Sequence, residues 1–339
     1  SLVGSEMCIR DRIRLSIIIP AYNAAQYVER CLLSINNEAI RSGISQSEYE
    51  IIIVDDCSSD NTIERTLEYF NHLNLSNGKV ICHHTNRKQG AARNTGLRVA
   101  NGDYVWFVDI DDSIGDGILK YLHSSELSST PDIFQFHAAS KDQSNNIVIE
   151  PYWEKPIGPM SGIDYLEFEA MNAYSNRIRA SWSKWFRREY LLCNNLFYEE
   201  GVFWEDVVHT LKAFYLADTV IYHPVIGYIY IQTPNSDMRG VQSGKKYADT
   251  IRFCTQSLQF LLEKHASPNI KNHLSSYYLK VLRKYKNYLS KLTETEIDAF
   301  IEAISDLKMN VIEQFFGNKE HDWLLNDSSI RELYNHQRK

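Results

Sequence analysis

Three apolar, β-branched runs early in the chain each stop at a polar or acidic step. Residues 15–19 run into Pro20-Ala21-Tyr22-Asn23, 51–54 into Asp55-Asp56, and 104–108 into Asp109-Ile110-Asp111-Asp112. Segments with helical spacing separate them over 24–35, up to Phe70, and over 90–100, with 79–82 as a further short strand. Asn61 followed by Glu64 predicts a capping box at the start of the second helix. Near-continuous apolar strands alternating with helices predict an α/β fold, with a mostly parallel central sheet flanked by helices on both faces. In such a sheet ligands bind beyond the carboxyl ends of the strands. All three polar steps fall there.

The pattern loosens after Pro131. Strands are expected over 133–137 and 147–149, then breaks at Pro151, Pro156 and Pro159 before a helix from about Ser161. A helix over 205–217 and strands over 220–222 and 228–231 follow. Beyond Gly244 the chain reads as helical, over 247–264, 270–292 and 294–316. The expected organisation is a main region over 13–236, in two halves over 13–125 and 126–236, and a helical extension over 237–339. Residues 1–12, SLVGSEMCIRDR, show no signal-peptide charge pattern and resemble a translated sequencing-adapter remnant, so they stand outside the fold reading.

A net charge of −7 argues against a nucleic-acid partner, while 44% hydrophobic and 12% aromatic residues supply a core. The six cysteines contain no Cys-x-x-Cys pair, which excludes a zinc framework or disulfide scaffold and points to a reducing, cytoplasmic compartment. No run approaches the roughly 18–20 apolar residues that cross a bilayer.

Hard divalent cations such as Mn²⁺ and Mg²⁺ sit between carboxylates and substrate phosphates. Asp109 and Asp111 lie two apart after a strand, so in extended geometry they point the same way and Asp112 points elsewhere. A solvated, Asp-rich turn is the competing reading, though three adjacent carboxylates repel one another. Asp112 is the member assigned to structure. Asp55 is placed to accept a nucleobase N–H, or else to end a strand. Gly90 and its small neighbours open a helix that allows close approach and favours an anion, and Arg93 on it reaches a base or phosphate, or solvent. Asp206 stands at a predicted helix start, where it serves as an N-cap or a favourable dipole contact, or else as a carboxylate kept ionised to act as general base.

In their order and spacing these segments resemble the family 2 glycosyltransferases of the GT-A fold. The resemblance lies in 16–23, 53–62, 90–97 and 102–112, then Trp182-Ser183-Lys184, 187–191, Glu205-Asp206-Val207, Tyr228-Ile229-Tyr230 and Ser236. It implies a nucleotide-sugar site, UDP-type, built from Pro20, Ala21, Tyr22, Asn23, Asp55, Asp56, Gly90, Arg93, Asp109 and Ile110. Asp55 would bond the uracil ring. Asp109 and Asp111 would hold Mn²⁺ or Mg²⁺, with Asp111 the principal ligand and Asp109 shared with the ribose. Asp206 would be the base of an inverting transfer, and Trp182, Lys184 and Glu205 would lie near a glycan or lipid-linked acceptor of cell-surface polysaccharide synthesis.

The sequence departs from that pattern at three points. Cys57 replaces a glycine, so no positive φ is expected there. Ile110 replaces a serine, and Gln232 replaces an arginine that contacts diphosphate, for which Arg239 is a substitute. Two other functions share parts of the pattern: a nucleotidyltransferase, which needs no Asp206, and a silent nucleotide-sugar-binding module, which the retained acids argue against. Over 264–291 seven Lys or Arg residues and no acid interleave with tyrosines and leucines. That stretch is either a peripheral membrane contact at the inner face or a helix packed on the catalytic domain with its basic face in water.

Overall fold

The computed structural model describes residues 12–149, 153–172, 180–233, 243–289, 293 and 311. They divide into two compact units. The first comprises Ser1–Tyr165, Ala180–Gly201 and Ala213–Pro234, and the second Leu166–Arg179, Val202–Lys212 and Asn235–Lys339.

In chain order the elements are β1 (Leu15–Ala21), α1 (Val28–Ser42), β2 (Tyr49–Asp55), α2 (Thr62–His72), β3 (Gly78–Cys82), α3 (Lys88–Val99), β4 (Tyr104–Phe107) and β5 (Ser113–Ile114). Then come α4 (Ser125–Ser128), β6 (Ile133–Lys141), β7 (Ile147–Val148), β8 (Ile157–Met160), α5 (Gly162–Asn172), β9 (Lys184–Arg187) and α6 (Arg188–Cys193). The chain continues through α7 (Glu205–Leu216), β10 (Val220–Ile231), α8 (Gly244–Glu263) and α9 (Pro268–Leu289).

Among the described residues all the strands lie in the first unit, in one sheet of order β3-β2-β1-β4-β9-β6-β10-β5, with β7 on β6 and β8 on β10. The β3-β2-β1-β4 half is parallel, as the apolar runs predict; β9 enters antiparallel to both β4 and β6, and β10 is parallel to β6. Every residue of β1 and β2 is buried because both sheet faces are covered. Gly96 lets α3 settle on β1: a Cβ there would stand 2.3 Å from Ile18 Cγ2. The other half of the core is aromatic, with Trp106 edge-on to Phe136 at 5.3 Å and to Trp185 at 5.9 Å.

Several predicted boundaries move. The first helix is four residues late at its start and runs on to Ser42, where Gly43 closes it in the left-handed conformation. The capping box on Asn61 does not form. Asp60 instead accepts from the Thr62 amide and hydroxyl, which keeps its carboxyl below the ordinary range although burial opposes this. The two strands expected over 220–222 and 228–231 are one strand, irregular between His223 and Tyr228 where Pro224 withholds its N–H. Of the helix expected over 294–316 only residue 311 is described, and it is helical and buried.

One buried polar network braces the parallel half. Glu50 on β2 accepts from the Ser16 hydroxyl (2.6 Å), Lys79 Nζ (2.6 Å) and the Asn101 amide (2.6 Å). Burial alone would raise its carboxyl, but these donors outweigh burial and hold it below the usual carboxylate range. Its contribution is therefore present above that range and is lost as pH falls through the lowered value. Glu50→Leu strands the Ser16 and Asn101 donors and should cost about 2–4 kcal/mol, read as a lower urea midpoint of the full chain. An unchanged midpoint would refute this account of the network.

In the second unit α8 begins on a Ser243 cap, with the side chain accepting from the Lys246 amide. Asp249, buried on α8, accepts from the Phe203 amide at 3.0 Å and pairs with Lys245, which ties 202–212 to that helix. Helix α9 buries Ile270, Leu274, Tyr278 and Leu282 at a four-residue spacing, with Tyr278 edge-on to Phe253 of α8. Over 268–282 this apolar face packs on α8. Among the described residues no helix is long and apolar enough to cross a membrane.

Candidate functional site

The sheet register brings all three polar steps to one height. Ala21 at the end of β1 pairs with Asp55 at the end of β2, and Ile18 pairs with Phe107, so the turn after β4 lies at the level of Ala21 on its other side. Asp55 and the turn 109–112 therefore flank β1, two strand spacings or about 10 Å apart.

Asp55 is 1% exposed. Its Oδ2 accepts the Ser58 amide at 2.9 Å, while Oδ1 has no hydrogen-bond partner among the described residues. A buried carboxylate oxygen left open costs free energy unless a donor arrives, so the atom has the character of a ligand contact. Tyr22 lies beside this strand end, 52% exposed. Asn23 crosses to the second loop, its amide donating to Ser58 Oγ and its side chain accepting the Ser59 amide, both at 2.8 Å. Pro20 and Ala21 are buried within β1.

Cys57 corrects an expectation. It adopts φ +66°, the left-handed conformation that suits glycine, so the turn keeps the glycine-like geometry without the glycine. Asp56 is placed by the sequence among ligand contacts, but its carboxylate is occupied by the chain itself. It accepts from His83 Nδ1 (2.7 Å), the Arg87 amide (2.9 Å) and the Lys88 amide (2.7 Å), and so anchors the start of α3. That helix starts at Lys88, two residues before Gly90, which is buried.

Arg93 is not solvated. It is 3% exposed, donates to Asp109 Oδ1 at 2.7 Å and to Gln89 at 3.1 Å, and lies over the Tyr198 ring. Its guanidinium thus fixes one carboxylate of the acidic turn.

Extended geometry does not persist through 109–112. The Asp112 amide bonds the Asp109 carbonyl at 3.1 Å, closing a turn. Asp112 is the structural member: it is 1% exposed and accepts from Tyr228 Oη at 2.6 Å and the Ile231 amide at 2.7 Å. Ile110 is buried. Asp111 accepts from Thr233 Oγ1 at 3.2 Å, and Arg30 of α1 donates to its carbonyl. Burial, then the charge of Asp109, pushes the Asp111 carboxyl up to about 6. No group of three or more His, Cys, Asp or Glu among the described residues is arranged to hold a metal. A divalent ion would fit here only with one or two carboxylates as ligands and substrate oxygens for the rest, the usual manner of Mg²⁺ beside phosphates. The repulsion that raises Asp111 is what such an ion would relieve.

Trp182 sits in a single 3₁₀ turn, Ser181–Ser183. Its ring stacks on Tyr228 at 4.6 Å and 12° and extends toward Tyr230. Lys184 is fully buried on β9, with Nζ donating to the Ala180 carbonyl at 2.5 Å and to Ser183 Oγ at 3.0 Å. In this structure it is a core cation rather than an open acceptor contact. In the second unit α7 starts at Glu205, which is buried, so Asp206 occupies the second helical position and is not the N-cap. Asp206 is half-buried, and its carbonyl accepts from Thr210 Oγ1. Ser236 and Arg239 lie outside the described residues. Arg30, Thr233 and Tyr228 reach the turn from 80 or more residues away in sequence, and no local spacing signals those contacts.

Residues 16–191 match the family model described as "Glycosyl transferase family 2". Among curated relatives, the chain is 28% identical over 229 residues to "Uncharacterized glycosyltransferase EpsJ" of Bacillus subtilis, covering 66% of this chain and 62% of that protein. It is 38% identical over 108 residues to "Poly(ribitol-phosphate) beta-N-acetylglucosaminyltransferase TarS" of Staphylococcus aureus, covering 32% of this chain but 18% of that protein. The chain thus spans less than two thirds of these relatives. The crystal structure of S. aureus TarS 1–349 in complex with UDP-GlcNAc superposes with a TM-score of 0.69 at 22% identity, over 96% of this chain and 92% of that one. This establishes the GT-A architecture for the sheet described above.

Proposed function

The chain belongs to glycosyl transferase family 2, and from that premise we propose that it is an inverting transferase moving a sugar from a UDP-sugar to a hydroxyl of a glycan or lipid-linked acceptor in cell-surface polysaccharide synthesis. The observation that carries this reading is the pair of strand ends flanking β1. One has a buried, open carboxylate oxygen at Asp55, and about 10 Å away is the acidic turn with Arg93 beside it. The separation suits a nucleoside at one end and a diphosphate at the other.

Asp55 Oδ1 accepts the uracil N3–H, and the exposed Tyr22 ring covers the base. Arg93 holds Asp109 toward the ribose, and Asp111, assisted by Asp109, holds Mn²⁺ or Mg²⁺. When bound, that ion offsets the charge of the departing diphosphate. Asp206 accepts the proton of the acceptor hydroxyl, whose oxygen attacks the anomeric carbon opposite the leaving group, so configuration inverts. Its place in the first turn of α7 favours the ionised form that a base requires.

Calorimetric titration of UDP tests the donor half of the reading. Wild-type protein should bind UDP, and Asp55→Ala should bind it about tenfold or more weakly, the worth of a hydrogen bond to a charged group. Equal affinity in the two proteins would remove Asp55 from the base pocket.

A further inference from the structure

The hydroxyl of Tyr228 touches the acidic turn twice. It donates to Asp112 Oδ2 at 2.6 Å and accepts the Asp109 amide at 3.2 Å. Tyr228 is fully buried and its ring cannot swing: Trp182 stacks on it, and Trp182 is in turn held by the Trp106 indole N–H, which donates to its carbonyl at 2.6 Å. Tyr228 also pairs in the sheet with Ile114, directly after the turn. Both ends of the turn are therefore tied to β10, at its entry through the Asp109 amide and at its exit through β5. Asp112 completes the clamp by accepting the Ile231 amide of the same strand.

Three carboxylates on four consecutive residues repel one another, and a free turn would relieve this by splaying. A phenylalanine at 228 would fill the same space and keep the Trp182 stack, so packing does not account for the hydroxyl. What the hydroxyl adds is two polar contacts on the acidic turn. We propose that Tyr228 is a positioning residue whose hydroxyl, anchored on Asp112, holds the Asp109–Asp111 pair at the separation a divalent cation needs. The proposal rests on the donor-site reading given above. Groups that hydrogen-bond to metal-binding segments typically contribute 10–100-fold in metal affinity.

The test is Mn²⁺ binding in the presence of UDP, read from the electron paramagnetic resonance signal of free Mn²⁺, for the wild type and Tyr228→Phe. Thermal midpoints and metal-free UDP affinity are measured alongside. The variant should keep its UDP affinity without metal and lose about 10–100-fold in Mn²⁺ affinity, a split that a general loss of structure would not produce. If Tyr228→Phe does not fold, Asp112→Asn takes its place. It preserves size and the acceptor for Ile231 but turns the acceptor of the tyrosine hydroxyl into an N–H donor, and the same loss is expected. Mn²⁺ affinity within about twofold of the wild type, against the 10–100-fold expected, overturns the positioning role alone. If the wild type binds UDP but no Mn²⁺, the metal part of the proposed function fails, and the positioning role with it.

Discussion

Asp206→Asn should reduce sugar transfer by about 10²–10⁴-fold, the usual share of a positioned general base, while UDP affinity stays at the wild-type level. The substitution is nearly isosteric, and the backbone contact that Asp206 makes, its carbonyl accepting Thr210 Oγ1, does not depend on the carboxylate. The substitution keeps that backbone contact and removes the proton-accepting capacity of the carboxylate. Donor binding is assigned to other residues, at the ends of β1 and β2, on α3 and in the turn after β4. Steady-state kinetics with a saturating acceptor check the loss, and calorimetry with UDP checks the donor side. Undiminished transfer by this variant would assign the base elsewhere.

Asp111→Asn should lower metal-dependent turnover by about 100-fold, since Lewis-acid stabilisation of developing charge is worth several kcal/mol and each factor of ten takes about 1.4 kcal/mol. An Asn side-chain oxygen still accepts from Thr233 Oγ1, and the Arg30 contact goes to the backbone, so the turn keeps its shape. What disappears is the anionic ligand. The loss should appear in kcat/KM together with a weaker dependence on Mn²⁺ concentration. An unaltered Mn²⁺ titration would show that Asp111 is not the ligand and would move that role to Asp109.

The parallel half of the sheet was legible in the sequence because its information is local. Buried strands read as apolar runs, and their ends announce themselves as Pro20, Asp55 and Asp109. The antiparallel insertion of β9 between β4 and β6 was not legible, since it is decided by contacts such as Trp185 with Phe134 and Trp106, made across the sheet. The site divides in the same way. Asp55, Arg93, Asp109 and Asp111 could be proposed from their places at strand ends and on the helix between them. The occupation of Asp56 by the Arg87 and Lys88 amides, the burial of Lys184 and the bonds from Arg30 and Tyr228 were not, because each depends on a partner remote in sequence or on backbone direction. Cys57 shows a further limit. Residue type argued against a positive φ, and the surrounding loop, anchored through Asp55, Asn23 and Asp60, imposes one.

The central claim is that the Asp55 pocket and the acidic turn form one metal-dependent donor site. Release of UDP from a panel of nucleotide sugars, with Mn²⁺ and with a chelator, measured for the wild type and Asp111→Asn, tests it most directly. The account predicts release from a UDP-sugar that requires the ion in the wild type and falls by about two orders of magnitude in the variant. Equal release with and without metal, or release from a donor with a different base and none from any UDP-sugar, would contradict it.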